Sequence, residues 1–158
     1  MHQYEIVKIK HLSGHECSIY SIIDSSDDTK TFLDRFIDEN INSFKSETIE
    51  IITRLKTIGN RTGARVQFFK EHEGIPGDGV CALYCIRYGM QLIIAGGGGY
   101  KPKSIRALQE DEKLRKENYF LREMSALITE RVKEKEIEFS NDGMDFTGNL
   151  MFRKEELE

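Results

Sequence analysis

Between residues 79 and 99 the chain reads GVCALYCIRY, then GMQLIIA, then four glycines, Gly96 to Gly99. Two apolar runs of strand length, rich in β-branched and aromatic residues and joined by a tight YGMQ turn, predict a hairpin at the heart of a sheet. On the first strand Cys81, Leu83, Cys85 and Arg87 share one face, and Val80, Ala82, Tyr84, Ile86 and Tyr88 share the other. Both faces are largely apolar, so the strand is expected to be central and covered on both sides. A glycine loses more conformational freedom on folding than any other residue. Four in succession therefore call for a reason. One is a bulge or kink at the strand end. The other is close approach of a ligand to bare backbone, and the basic run Tyr100-Lys101-Pro102-Lys103-Ser104-Ile105-Arg106 that follows suggests an anion.

The rest of the pattern surrounds this hairpin. Residues 4–10 (YEIVKIK) alternate as a strand, HLSGHE reads as a turn, and CSIYSII as a second strand. Phe32, Leu33, Phe36 and Ile37 mark a short amphipathic helix. Phe44, Ile49, Ile52, Leu55 and Ile58 mark a second, which GNRTG ends with two glycines. RVQFFK (65–70) is expected to be a strand. From residue 108 a long helix is expected, with Leu114, Leu121, Met124, Ile128 and Val132 as its buried stripe. IEFSNDGMDFTGNLMF predicts a short strand, an Asp-Gly turn and another strand. Strands and helices come in runs rather than in strict alternation, so the fold class is α+β with a mostly antiparallel sheet. At 158 residues, with no linker composition, residues 1–158 read as one domain.

Charge is distributed unevenly. The chain carries −4 overall, yet residues 53–106 hold nine basic side chains against three acids, leaving −10 for the rest. A basic middle between acidic flanks points to a local anion site rather than to general affinity for polyanions. The N-terminus has no apolar leader pattern and no apolar run is long enough to span a membrane, so the expected location is the cytoplasm. Three cysteines show no disulfide spacing. Cys81 and Cys85 stand four residues apart on a strand, roughly 13 Å, too far for one metal ion or a disulfide, and read as small buried hydrophobes. His11, His15 and Cys17 lie close enough in sequence to meet in a turn as metal ligands, or simply as polar turn residues. His72 is either a loop residue or a general acid–base. Arg87, at the end of a central strand, is either a structural pairing group or part of the anion site.

Two helices, a strand, a glycine-bearing loop, a strand carrying LYCIRY, a tight turn, and the apolar strand LIIAGGGGYKPK before a C-terminal helix together resemble the RelE/ParE-like toxin superfamily, most closely its HigB-like, phage-associated branch. The segments FFKEHEG, LYCIRY and LIIAGGGGYKPK carry the resemblance, which covers about residues 29–135. It implies a RelE-like fold, with residues 1–24 as an N-terminal hairpin extension and 107–158 as a C-terminal helix and strand pair. It implies the toxin of a type II toxin–antitoxin pair, a metal-independent endoribonuclease that cuts mRNA, usually on the ribosome, without a cofactor. Its partners would be mRNA, the ribosome and a cognate antitoxin, and no membrane. In such enzymes the RNA 2′-hydroxyl attacks the adjacent phosphate, and clustered positive charge stabilises the transition state. By position Arg87, Lys101 and Lys103 would be catalytic. Arg61, Arg65, Lys70 and Arg106 would line the RNA backbone, and Tyr88 or Tyr100 would stack on a base. The alternative is a non-catalytic module of the same fold that binds RNA or a protein partner.

Overall fold

The computed structural model describes residues 3–25, 30–69, 74–76, 81–100 and 112–157. Eight strands and three α-helices are present among them: β1 (Gln3–Lys8), β2 (Ser18–Asp24), α1 (Phe32–Asn40), α2 (Lys45–Thr57), β3 (Gly74–Pro76), β4 (Cys81–Tyr88), β5 (Leu92–Tyr100), α3 (Glu112–Lys133), β6 (Ile137–Phe139), β7 (Phe146–Gly148) and β8 (Met151–Arg153). Six strands form one sheet in the order β3-β4-β5-β2-β1-β8, and β6 and β7 pair separately. The fold is α+β, as expected. Within the large sheet every pairing is antiparallel except β2 with β5, which run parallel from Ser18 beside Leu92 to Tyr20 beside Ile94.

The sheet is covered on both faces. Ile19, Leu83, Cys85, Ile93 and Ala95 point to one side, where they pack with Leu33 and Phe36 of α1 and Ile51 and Leu55 of α2. Tyr20, Ile22, Tyr84, Ile86, Leu92 and Ile94 point to the other, against Leu121, Met124 and Ile128 of α3 and Phe146 of β7. That is the two-faced burial the sequence of β4 and β5 requires. Each such buried aliphatic side chain contributes about 1.5–3 kcal/mol.

Local chemistry sets the helix boundaries. Thr31 caps α1: its hydroxyl accepts from the Asp34 N–H, while the Asp34 carboxylate accepts from the Thr31 N–H, both at 3.1 Å. Ser21 ties three elements together, donating to the Ala95 carbonyl at 2.7 Å and accepting from the Leu33 N–H at 3.1 Å. α2 runs into one wide turn at Ile58–Thr62, which ends at Gly63 with φ +72°, a conformation natural to glycine.

The C-terminal segment, expected as a strand, a turn and another strand, holds three strands, β6, β7 and β8, the last of them in the large sheet. RVQFFK is not a strand: Val66–Phe68 form a 3-10 turn, and Val66 is 65% exposed. Without an alternating buried face this segment has nothing to pack as a strand. The glycine run takes the first of its two readings, a bulge, and it lies within the strand, because β5 continues to Tyr100 and pairs with β4 on both sides of it. The register steps between Cys85, opposite Ala95, and Leu83, opposite Gly98. Gly96 and Gly97 therefore both stand against Tyr84 in a β-bulge, and both turn toward α3. A Cβ on Gly96 would lie 3.0 Å from a methyl of Leu121, and one on Gly97 2.8 Å from the Glu117 carboxyl carbon. A Cβ on Gly98 would lie 2.1 Å from the Ala82 carbonyl oxygen. The bare backbone lets α3 and β4 come close.

Candidate functional site

One part of the basic middle, residues 53–69, lies at the C-terminal end of α2 and in the turn that follows it. From Thr53 to Phe69 the chain carries Arg54, Lys56, Arg61 and Arg65 and no acid. Lys56, Arg61 and Arg65 are exposed, and Arg54 is half-buried. Arg54 meets Glu50 at 3.9 Å, a loose, partly exposed pair of small energetic weight. Its guanidinium lies over the Phe68 ring, 5.4 Å from the centroid.

Arg87 joins this segment to the sheet. It projects from the α1/α2 side of β4, on the same face as Leu83 and Cys85. One guanidinium nitrogen donates to the Gly89 carbonyl at 2.7 Å and to the Ala64 carbonyl at 3.3 Å. The guanidinium also sits 5.9 Å from the Phe69 ring centroid. The Ala64 N–H reaches the Met90 carbonyl at 2.8 Å. The 63–69 segment is thus pinned to the β4–β5 turn from both partners. Two arginines lie over two consecutive phenylalanine rings, which is how the sequence FF between Arg65 and Lys70 is used. Sequence reasoning did not single out Arg54, Phe68 or Phe69 as site residues; the signal available was that FF pair inside a basic stretch.

The structure brings Arg61, Arg65 and Arg87 into one region of the molecule. It does not bring Tyr88 there. Tyr88 leaves β4 on the opposite face, and its ring packs 5.5 Å from those of both Phe139 and Phe146. That placement follows from strand alternation and sets it among core aromatics, where a base could stack only by displacing them. Tyr100 ends β5 opposite Cys81. Lys70, His72, Lys101, Lys103 and Arg106 lie outside the described residues.

A concave feature lies over the glycine bulge of β5. A cleft of about 300 Å³ opens between α1, α3 and the glycine bulge, with Tyr4, Phe32, Phe36, Phe120 and Leu121 as apolar wall and Gly96 and Gly97 as floor. Its charges largely answer one another: Lys113 bridges Glu39 at 3.3 Å and Glu117 at 3.2 Å, and Lys116 reaches Glu112 at 3.8 Å. Its lining holds Asp24, Glu39 and Glu117 against Arg35 and Lys116, which makes the cleft a poorer anion site than the α2 end.

Cys17 is fully buried between β2 and the helices, and burial pushes its thiol up to about 12. His11 and His15 are exposed. Among the described residues no three His, Cys, Asp or Glu side chains group as metal ligands, and no helix is long and apolar enough to cross a membrane. No family model, curated protein or solved structure matches this chain.

Proposed function

We propose that the chain is an RNA-directed toxin of the RelE/HigB type, with the end of α2 and the 58–69 segment as its RNA-backbone surface. One observation carries the reading: Arg54, Lys56, Arg61 and Arg65 follow one another without an intervening acid, from α2 into the 63–69 segment that Arg87 fastens to the central sheet. Phosphates favour such a stretch, and a rigid mount lowers the entropy lost on binding. Cleavage itself falls to Lys101 and Lys103, which follow β5 directly. They would supply positive charge to the phosphorane while the RNA 2′-hydroxyl attacks. Partners under this reading are mRNA, the ribosome and an antitoxin, and no cofactor is needed.

A specific observation favours a second reading, a module that binds RNA without cutting it. Arg87 spends its guanidinium on two backbone carbonyls, the posture of a positioning group rather than a reacting one.

The test is induced expression of the chain in bacteria, beside Lys101→Ala/Lys103→Ala and Arg61→Gln/Arg65→Gln variants. Arg87 is left intact because its loss would unfasten the surface. Growth arrest with new mRNA 5′ ends, lost in the lysine variant, supports the toxin. Arrest without new ends supports the binding module. Normal growth from folded protein sinks the toxin. For purified protein on single-stranded RNA, neutralising two phosphate contacts should flatten the slope of log affinity against log salt by about 1.4. An unchanged slope would remove Arg61 and Arg65 from the surface.

A further inference from the structure

β8 is an edge strand, and an edge strand exposes a row of N–H and C=O groups that a second chain can pair with. Its inner side is taken by β1, with Glu5 opposite Met151, Tyr4 opposite Phe152 and Gln3 opposite Arg153. The Ile6 N–H also reaches the Leu150 carbonyl at 3.0 Å. The groups of residues 149, 151 and 153 therefore face outward. The outward Asn149 N–H already donates to the Glu136 carbonyl at 2.8 Å, and each of four other such groups is met by a side chain of the same molecule. Arg131 of α3, 8% exposed, donates from one nitrogen to the Asn149 carbonyl at 2.8 Å and to the Met151 carbonyl at 2.6 Å. The Asn149 side-chain oxygen accepts from the Met151 N–H at 3.3 Å. The Glu156 carboxylate accepts from the Arg153 N–H at 2.8 Å and is held by Arg131 at 3.2 Å. Glu156 can do this because Lys154–Leu157 turn back as a 3-10 helix directly after the strand. Arg131 is fixed in turn by the Phe152 ring, 3.8 Å from its guanidinium carbon.

These four groups have a common geometry. A symmetric antiparallel pairing of β8 with β8 of a second copy, centred on Met151, would exchange the N–H and C=O of Met151. It would also join the N–H of Arg153 to the C=O of Asn149 across the axis. Met151, 40% exposed, would add apolar contact. We propose that Arg131, Asn149 and Glu156 form an edge cap that keeps β8 from pairing with a second copy of this chain. An arginine buried on a largely apolar helix stripe is costly, and this cap accounts for its place there.

The test is a variant of the full chain carrying Arg131→Met, Asn149→Ala and Glu156→Ala, which frees both carbonyls and both N–H groups. Hydrogen exchange at the amides of Met151 and Arg153 should speed by about fivefold or more, the fold-change of one ordinary hydrogen bond. Light scattering should then show a dimer that forms with rising concentration and is abolished by adding Met151→Pro, which removes the central donor. With Met151→Cys added, the capped chain should form no β8–β8 disulfide on oxidation, whereas the uncapped variant should. Faster exchange with a monomer at every concentration overturns the proposal. So does a wild-type dimer crosslinked through position 151. If this variant does not fold, Asn149→Ala/Glu156→Ala is read by hydrogen exchange, and unchanged exchange at Met151 and Arg153 overturns the cap.

Discussion

Alanine at each of three neighbouring glycines should have three different costs, although the substitution is the same. None of Gly96, Gly97 and Gly98 has a positive φ, so alanine is allowed by the backbone at all three and the difference is steric. At Gly98 the new Cβ would lie 2.1 Å from the Ala82 carbonyl oxygen and 2.9 Å from the Leu83 Cα. Ordinary contact begins at roughly 3.5 Å, and both atoms belong to the paired strand, which cannot move without opening the β4–β5 ladder. This lies at the severe end of overpacking, about 3 kcal/mol or more, which lowers Tm by about 6–12 °C in a chain of this size. At Gly96 the obstacle is the Leu121 methyls at 3.0 and 3.1 Å. Leu121 lines the 300 Å³ cleft and can turn into it, so the cost falls to about 1 kcal/mol. At Gly97 the obstacle is the Glu117 carboxylate, whose side chain is 28% exposed and can swing outward. Losing its bridge to Lys113 costs under about 1 kcal/mol, and alanine returns about 0.4–1 kcal/mol by restricting the unfolded chain, leaving little net change. Thermal and urea unfolding followed by circular dichroism give the order directly. Equal losses at all three positions, or a Gly98→Ala variant as stable as wild type, would refute the close strand approach. Unchanged stability at all three with loss of RNA binding would return the glycines to a ligand-facing role.

Three other outcomes are expected. Tyr20→Phe should cost about 1–3 kcal/mol: its hydroxyl accepts from the buried Phe146 N–H at 3.1 Å and donates to Asp145 at 3.3 Å, and a native-like urea midpoint would contradict this. Cys17, at about 12, should be thiolate in roughly one molecule in ten thousand at pH 8, so mass spectrometry should find it unalkylated until the protein unfolds. The Arg153 N–H, and then the charge of Arg131, hold the Glu156 carboxyl below its usual 4.5. A depressed folded value means the stabilisation is complete above 4.5 and is lost as pH falls through the folded value. The stability difference between wild type and Glu156→Gln should therefore shrink on acidification, and a difference independent of pH would count against the contact.

Periodicity alone carried most of the element list. β1, β2, α1, α2, β4 and α3 stand where alternation or helical spacing puts them, and Leu83 and Cys85 face one core while Tyr84 and Ile86 face the other, because side-chain period is a local property of the backbone. The positive charge around α2 was also legible, since charges are counted without knowing where they point. What sequence could not decide is whatever depends on partners distant along the chain. The parallel pairing of β2 with β5 joins residues more than seventy positions apart, and no local pattern encodes its direction. Phe68 and Phe69 became ring platforms rather than strand residues because Arg54 and Arg87 arrive from α2 and β4. Arg131 was invisible as a buried residue, since only the carbonyls of β8 make its burial tolerable. The glycines show the division plainly. Their sequence demanded some close approach, and the tertiary structure decided what approaches: α3 at Gly96 and Gly97, and the backbone of β4 at Gly98, because the neighbour over each glycine is set by packing between elements distant in the chain.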